Sequence, residues 1–185
     1  MTNLEQNTPS ESITFWWESA LKLAAAGILV VASYLAAGFF PPKAFYLAYM
    51  IVFAAVAYSD FRERRIPNRI IYPAILVALG AMFRFPGWGS ALLGGAVAAL
   101  VFIVPVLIYG PERAGIGDVK LAFFIGLIFG FSMTLYWAFL LGLGSAALVG
   151  LVGILLGKMS RKSLLPFGSF LALGAMAFLI TQMVR

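Results

Sequence analysis

Apolar residues run along this chain in seven long blocks, each closed by a short polar or Pro/Gly-rich stretch. The first is Ala20–Phe40, broken only by Lys22 and closed by Pro41-Pro42-Lys43. The second, Ala44–Ser59, runs into a charged segment, Asp60-Phe61-Arg62-Glu63-Arg64-Arg65-Ile66-Pro67-Asn68-Arg69. The third begins at Pro67, read as a first-turn helical residue because its missing N–H costs nothing there. It stops around Arg84-Phe85-Pro86-Gly87. Further blocks cover Ser90–Tyr109, Val119 to about Phe131, about Thr134–Gly157 and about Pro166–Val184.

A helix needs about 20 apolar residues to cross a bilayer. The pattern therefore predicts an all-α, polytopic transmembrane bundle of about seven spans. Residues 1–19, with Glu5, Glu11 and Glu18, read as a polar cytoplasmic tail, and 20–185 as one membrane domain. The first block is too long for the core of a cleaved signal, and the tail before it lacks a basic region, so it reads as a retained anchor helix. The second and fifth blocks are short. Either their helices extend into the flanking loops or they end below the surface, and both options put Asp60 and Asp118 near the membrane boundary.

Composition agrees with the pattern. The chain is 63% apolar and 11% charged, too little charge to give a soluble domain of 185 residues its polar faces. Mean hydropathy is +1.00. Nine of the 13 Lys and Arg fall in three loops (60–69, 110–120 and 158–163) that seven spans place on one side. The positive-inside rule makes that side cytoplasmic, together with the N-terminus. It also accounts for the pI near 9.8 without nucleic acid, for which no soluble basic module is present. Gly126-x-x-x-Gly130 and Gly153-x-x-x-Gly157 predict close helix packing. Trp16, Trp17, Trp88 and Trp137 suit the interfacial belt.

Cysteine and histidine are absent. That excludes disulfides, thiolate nucleophiles, Cys/His zinc sites and Ser-His or Cys-His relays. Chemistry without a cofactor or metal must then come from carboxylates, Lys, Ser, Thr or Tyr. Asp60 and Asp118 are the only aspartates, and carboxylates at membrane depth are costly. Two carboxyls a few ångströms apart share a proton: the ionised member can take a proton from water, and the protonated one can donate to a carbonyl oxygen. Plainer readings stand beside this one. Asp60 could pair with Arg64 at i+4, and Asp118 could be a helix N-cap. Glu63 and Glu112 sit among arginines and read as solvated ion pairs. A Ser-Lys dyad is open to the composition, but no Ser lies in a recognisable motif near Lys120.

Asp60-x5-Ile66-Pro67-Asn68, followed by Gly115-x-Gly117-Asp118-x-Lys120-Leu121, resembles the paired signature of the type IV prepilin leader peptidases, membrane aspartic proteases of the G-x-G-D class. Leu165-Pro166-Phe167-Gly168-Ser169 is similar to the start of the family's C-terminal helix, where a second proline commonly follows the glycine; here Ser169 takes its place. The resemblance covers roughly 44–175. It implies a six-helix peptidase core plus an extra N-terminal helix, with Asp60 and Asp118 as the catalytic pair. Gly115, Gly117, Lys120, Pro67, Asn68, Pro166 and Gly168 would belong to the substrate or active-site loops. It implies as substrate a prepilin or pseudopilin precursor, a short basic leader before a hydrophobic helix, cleaved at the cytoplasmic face of the bacterial inner membrane. With no Cys, the chain resembles the peptidase-only form without zinc or methyltransferase activity. The competing expectations are a proton-coupled transporter and a non-catalytic assembly subunit of the pilus.

Overall fold

A segment with few polar side chains must satisfy its own backbone when it enters an apolar medium, and a helix does so within the segment. The seven blocks accordingly form seven helices among the described residues, with no strand: α1 (Pro9–Phe39), α2 (Pro42–Glu63), α3 (Asn68–Ala81), α4 (Trp88–Tyr109), α5 (Ile116–Phe129), α6 (Met133–Leu155) and α7 (Phe167–Val184). The computed structural model describes residues 9–110, 115–157 and 165–184, with side chains from Glu18 onward apart from that of Tyr109. Among the described residues, five helices are long and apolar enough to cross a membrane: α1, α2, α4, α6 and α7. The protein is a helical membrane bundle.

The boundaries sharpen the expectations. The second block is completed at both ends, by Pro42 and Lys43 and by Asp60–Glu63, and becomes a 22-residue helix. The fifth stays short, at 14 residues. The third is also 14 residues and ends at Ala81 instead of reaching Phe85. There the chain turns, the Arg84 and Phe85 N–H groups both donating to Ala81 O, before Pro86, which has no N–H to continue a helix. At 1.5 Å per residue, 14 residues span about 21 Å, less than the ~30 Å hydrocarbon core. Pro67 is the N-cap of α3, one residue outside the first turn, because its ψ of 124° is extended. Its carbonyl accepts from Ile70 and Ile71. Helix α1 starts at Pro9, inside the polar segment. The loop 158–163 lies outside the described residues, as do Glu112 and Arg113 and the side chains of Trp16 and Trp17.

Helix α5 is the centre of the bundle, its side chains from Leu121 to Phe129 buried except for Phe123. It packs on α4, α3, α7 and α6; α7 also packs on α2 and α6, and α1 on α3. Small residues set the closest approaches. A Cβ on Gly126 would meet the backbone of Gly94, and one on Gly174 would meet Gly142 and Ala138. The first of the two small-residue motifs thus marks a helix contact, as expected. Gly157, in the second, has open space around it and a φ of +67°, and serves a turn. Trp88 and Trp137 are exposed.

Candidate active site

The buried face of α2 is Phe45, Tyr49, Phe53, Val56 and Asp60. The spacings of four, four, three and four residues place all five on one stripe of a 3.6-residue helix. Asp60 therefore faces the core because of its register, and is 5% exposed. The helix ends one turn later. Arg64 adopts the left-handed conformation (φ 52°) and its N–H donates to Asp60 O at 2.8 Å, an αL termination. Arg64 thus reaches Asp60 through its backbone, while the Asp60 side chain turns inward to α7. The i+4 pairing weighed from sequence gives way to a buried hydrogen-bond set.

That set is built by Ser169. Its backbone N–H donates to Asp60 Oδ2 at 2.6 Å. Its hydroxyl lies 3.0 Å from the same oxygen and 2.9 Å from Ala57 O. A buried carboxylate left without donors would be strongly destabilising, and hydrogen bonds to an ionised acceptor are about twice as strong as neutral ones. From the sequence, Ser169 reads as a departure from a common proline. The departure was itself the signal: proline has no N–H and no hydroxyl, and serine supplies both.

Asp118 lies in the first turn of α5. Gly115 is the N-cap, so Asp118 is not; the Asp118 N–H donates to Gly115 O at 3.0 Å. Its carboxyl is half-buried and approaches Asp60 at Gly168, in the first turn of α7. A Cβ built on Gly168 would stand 3.2 Å from Asp118 Oδ1 and 3.2 Å from Asp60 Cγ. The two carboxyls therefore flank one point, and are separated by no more than twice that distance. Burial, and then the charge of Asp60, raise the Asp118 pKa from 3.8 to about 7.

The two glycines before Asp118 are needed for space. Gly115 has a φ of −67°, which any residue can adopt, but a Cβ there would stand 3.0 Å from Asp118 Oδ2. A Cβ on Gly117 would be 3.1 Å from the Ile66 side chain. Ile66 also reaches the Gly168 position at 3.0 Å. It thus lies beside both Gly117 and Gly168 as an apolar neighbour of the site.

The remaining expected residues lie around this centre. Lys120 Nζ donates to Asn68 Oδ1 at 2.9 Å and sits 4.7 Å from the centroid of the Tyr72 ring, clamping α5 to the start of α3. Pro67 follows Ile66 as the N-cap of α3. Pro166 is half-buried, just before α7. Phe167 is 6.4 Å from Phe102 of α4. Among the described residues, no group of three or more His, Cys, Asp or Glu could hold a metal ion.

Fold and site together define a helical membrane protein with two carboxyls converging where α2 ends and α5 and α7 begin. The chain belongs to the type IV leader peptidase family, whose model matches residues 47–154. It is 30% identical over 136 residues to "Prepilin leader peptidase/N-methyltransferase" of Bacillus subtilis (strain 168), an alignment covering 72% of this chain and 53% of that protein. The chain thus spans about half the length of the curated relative it matches. No solved structure matches it.

Proposed function

We propose that this protein is a membrane aspartic endopeptidase that removes the leader from a type IV prepilin-like precursor. The observation that carries the reading is the convergence of Asp60 and Asp118 on Gly168. The family membership supports it, and the relative's printed name supports the substrate class.

The chemistry follows from unlike protonation. Asp118, its pKa raised to about 7 by burial and by Asp60, is the member suited to act as the acid, and Asp60 is assigned the part of the base. Water between them loses a proton to Asp60 as its oxygen bonds to the scissile carbonyl carbon. Asp118 donates its proton to the carbonyl oxygen, giving a neutral gem-diol. Collapse of the diol breaks the C–N bond; the proton on Asp60 passes to the leaving amine, and a diol proton returns to Asp118. The burial of Asp60, 5% exposed, strengthens these electrostatic effects. Gly115 and Gly168 leave room for the carboxyls, since a Cβ at Gly115 would crowd Asp118 and one at Gly168 would crowd both acids.

The exposed arginines next to the site, Arg62, Arg64, Arg65 and Arg69, support a cytoplasmic placement for it. Cleavage then occurs where a substrate's polar leader leaves the membrane and its apolar helix begins. In the test, a prepilin is co-expressed with wild type, Asp60→Asn or Asp118→Asn, and leader removal is followed by mass. Both variants should lose at least about 10³-fold in rate, within the usual range for general acid–base groups. Wild-type cleavage by either one would refute the paired-carboxylate mechanism.

A further inference from the structure

Ser169 supplies a device that the two-aspartate scheme does not contain. Its N–H and its hydroxyl converge on one oxygen, Asp60 Oδ2. The hydroxyl has one proton and two acceptors, Oδ2 at 3.0 Å and Ala57 O at 2.9 Å. The N–H is fixed by the backbone of α7; the hydroxyl can rotate. With Oδ2 held from α7, Oδ1 is the oxygen left for water.

We propose that Ser169 is the positioning residue of Asp60: it fixes which carboxylate oxygen acts as base, and its hydroxyl follows the proton. While Asp60 is ionised, the hydroxyl donates to Oδ2. When Asp60 has taken the proton of water, the hydroxyl turns to Ala57 O and the carboxyl keeps the backbone N–H as its anchor. The buried acid thus has a hydrogen-bond partner in both protonation states, and neither state leaves an unsatisfied group in an apolar site. No proton leaves Ser169, so the balance of the hydrolysis is unchanged. Ser169 acts through Asp60 and does not touch substrate.

The inference rests on the peptidase reading, and a graded series separates the two. The assay uses the full-length protein in detergent and a purified prepilin precursor bearing its leader and hydrophobic helix. Ser169→Ala removes the hydroxyl and keeps the N–H. Its kcat should fall about 10-fold with KM within about twofold, as for one lost hydrogen bond to a charged group. Ser169→Thr should restore kcat to within about threefold of wild type. A second measurement is independent of activity. The loss of Tm caused by Ser169→Ala should shrink in an Asp60→Ala background, because the partner is gone.

Wild-type kcat in Ser169→Ala, or an equal Tm loss in both backgrounds, would overturn the positioning role. If Asp60→Asn is inactive while Ser169→Ala is fully active, this inference alone fails. If Asp60→Asn still cleaves, the peptidase mechanism fails with it.

Discussion

Gly168→Ala adds one methyl group at the point where the two carboxyls meet. Without neighbours the change would help, since Gly in a helix costs about 1 kcal/mol relative to Ala. Here the new Cβ would stand 3.2 Å from Asp118 Oδ1, 3.2 Å from Asp60 Cγ and 3.0 Å from Ile66 Cδ1. Ordinary contact needs about 3.5–4.0 Å, so each neighbour must retreat by several tenths of an ångström. Asp60 is tied to Ser169, leaving Asp118 and Ile66 to move. Overpacking of this kind costs about 1–3 kcal/mol, which outweighs the helical gain and leaves a net loss of about 0–2 kcal/mol. The effect on rate should be larger than the effect on stability. A 1 Å misplacement of a reacting group costs on the order of 10²-fold, so a shift of about half that predicts at least a 10-fold loss of kcat. The assay is single-turnover cleavage of prepilin by the purified protein, with thermal unfolding of the same sample. Gly144→Ala on α6, where a Cβ meets nothing within 4 Å, is the matched control and should keep wild-type kcat. A folded Gly168→Ala with a raised Tm and wild-type kcat would refute the geometry on which the mechanism rests.

Four further predictions concern charge, clamping and packing. Since Asp118 must be protonated to act as the acid, cleavage should decline as pH rises through about 7; a rate still rising at pH 9 would contradict that role. The same raised pKa gives the folded state more bound protons than the unfolded one between 3.8 and about 7. Stability should therefore be highest below that window and fall as pH rises through it, and Asp118→Asn should flatten the slope in thermal scans. Lys120→Met removes the bond to Asn68 and the contact with Tyr72 and should cost about 1–2 kcal/mol. Its coupling with Asn68→Ala, read from a double-mutant cycle of Tm, should be non-zero. Gly126→Leu would drive a side chain into the backbone of Gly94 and should abolish the folded bundle, seen as loss of a cooperative melt.

Much of this architecture can be read from the chain alone, because an apolar block too long to stay in water has one local solution, a helix. The blocks, their number and the ends carrying Asp60 and Asp118 all follow from that constraint. Even the inward turn of Asp60 is written in its spacing from Tyr49, Phe53 and Val56. Periodicity also left alternatives open that only packing closed. Asp60 could have paired with Arg64, and Asp118 could have capped a helix. The αL turn at Arg64 and the N-cap at Gly115 removed both options.

The order of residues along the chain set what was available: helices, two aspartates at helix ends, and no His or Cys to compete with them. Helix packing set which faces meet. Helical spacing encodes the face of each helix but not its neighbour, since one apolar stripe resembles another. Packing of α7 against both α2 and α5 brings Ser169 to Asp60, 109 residues away in the chain, and sets Gly168 between the two acids. Those contacts span separations at which no local pattern operates, so the meeting of Asp60 and Asp118 belongs to the fold.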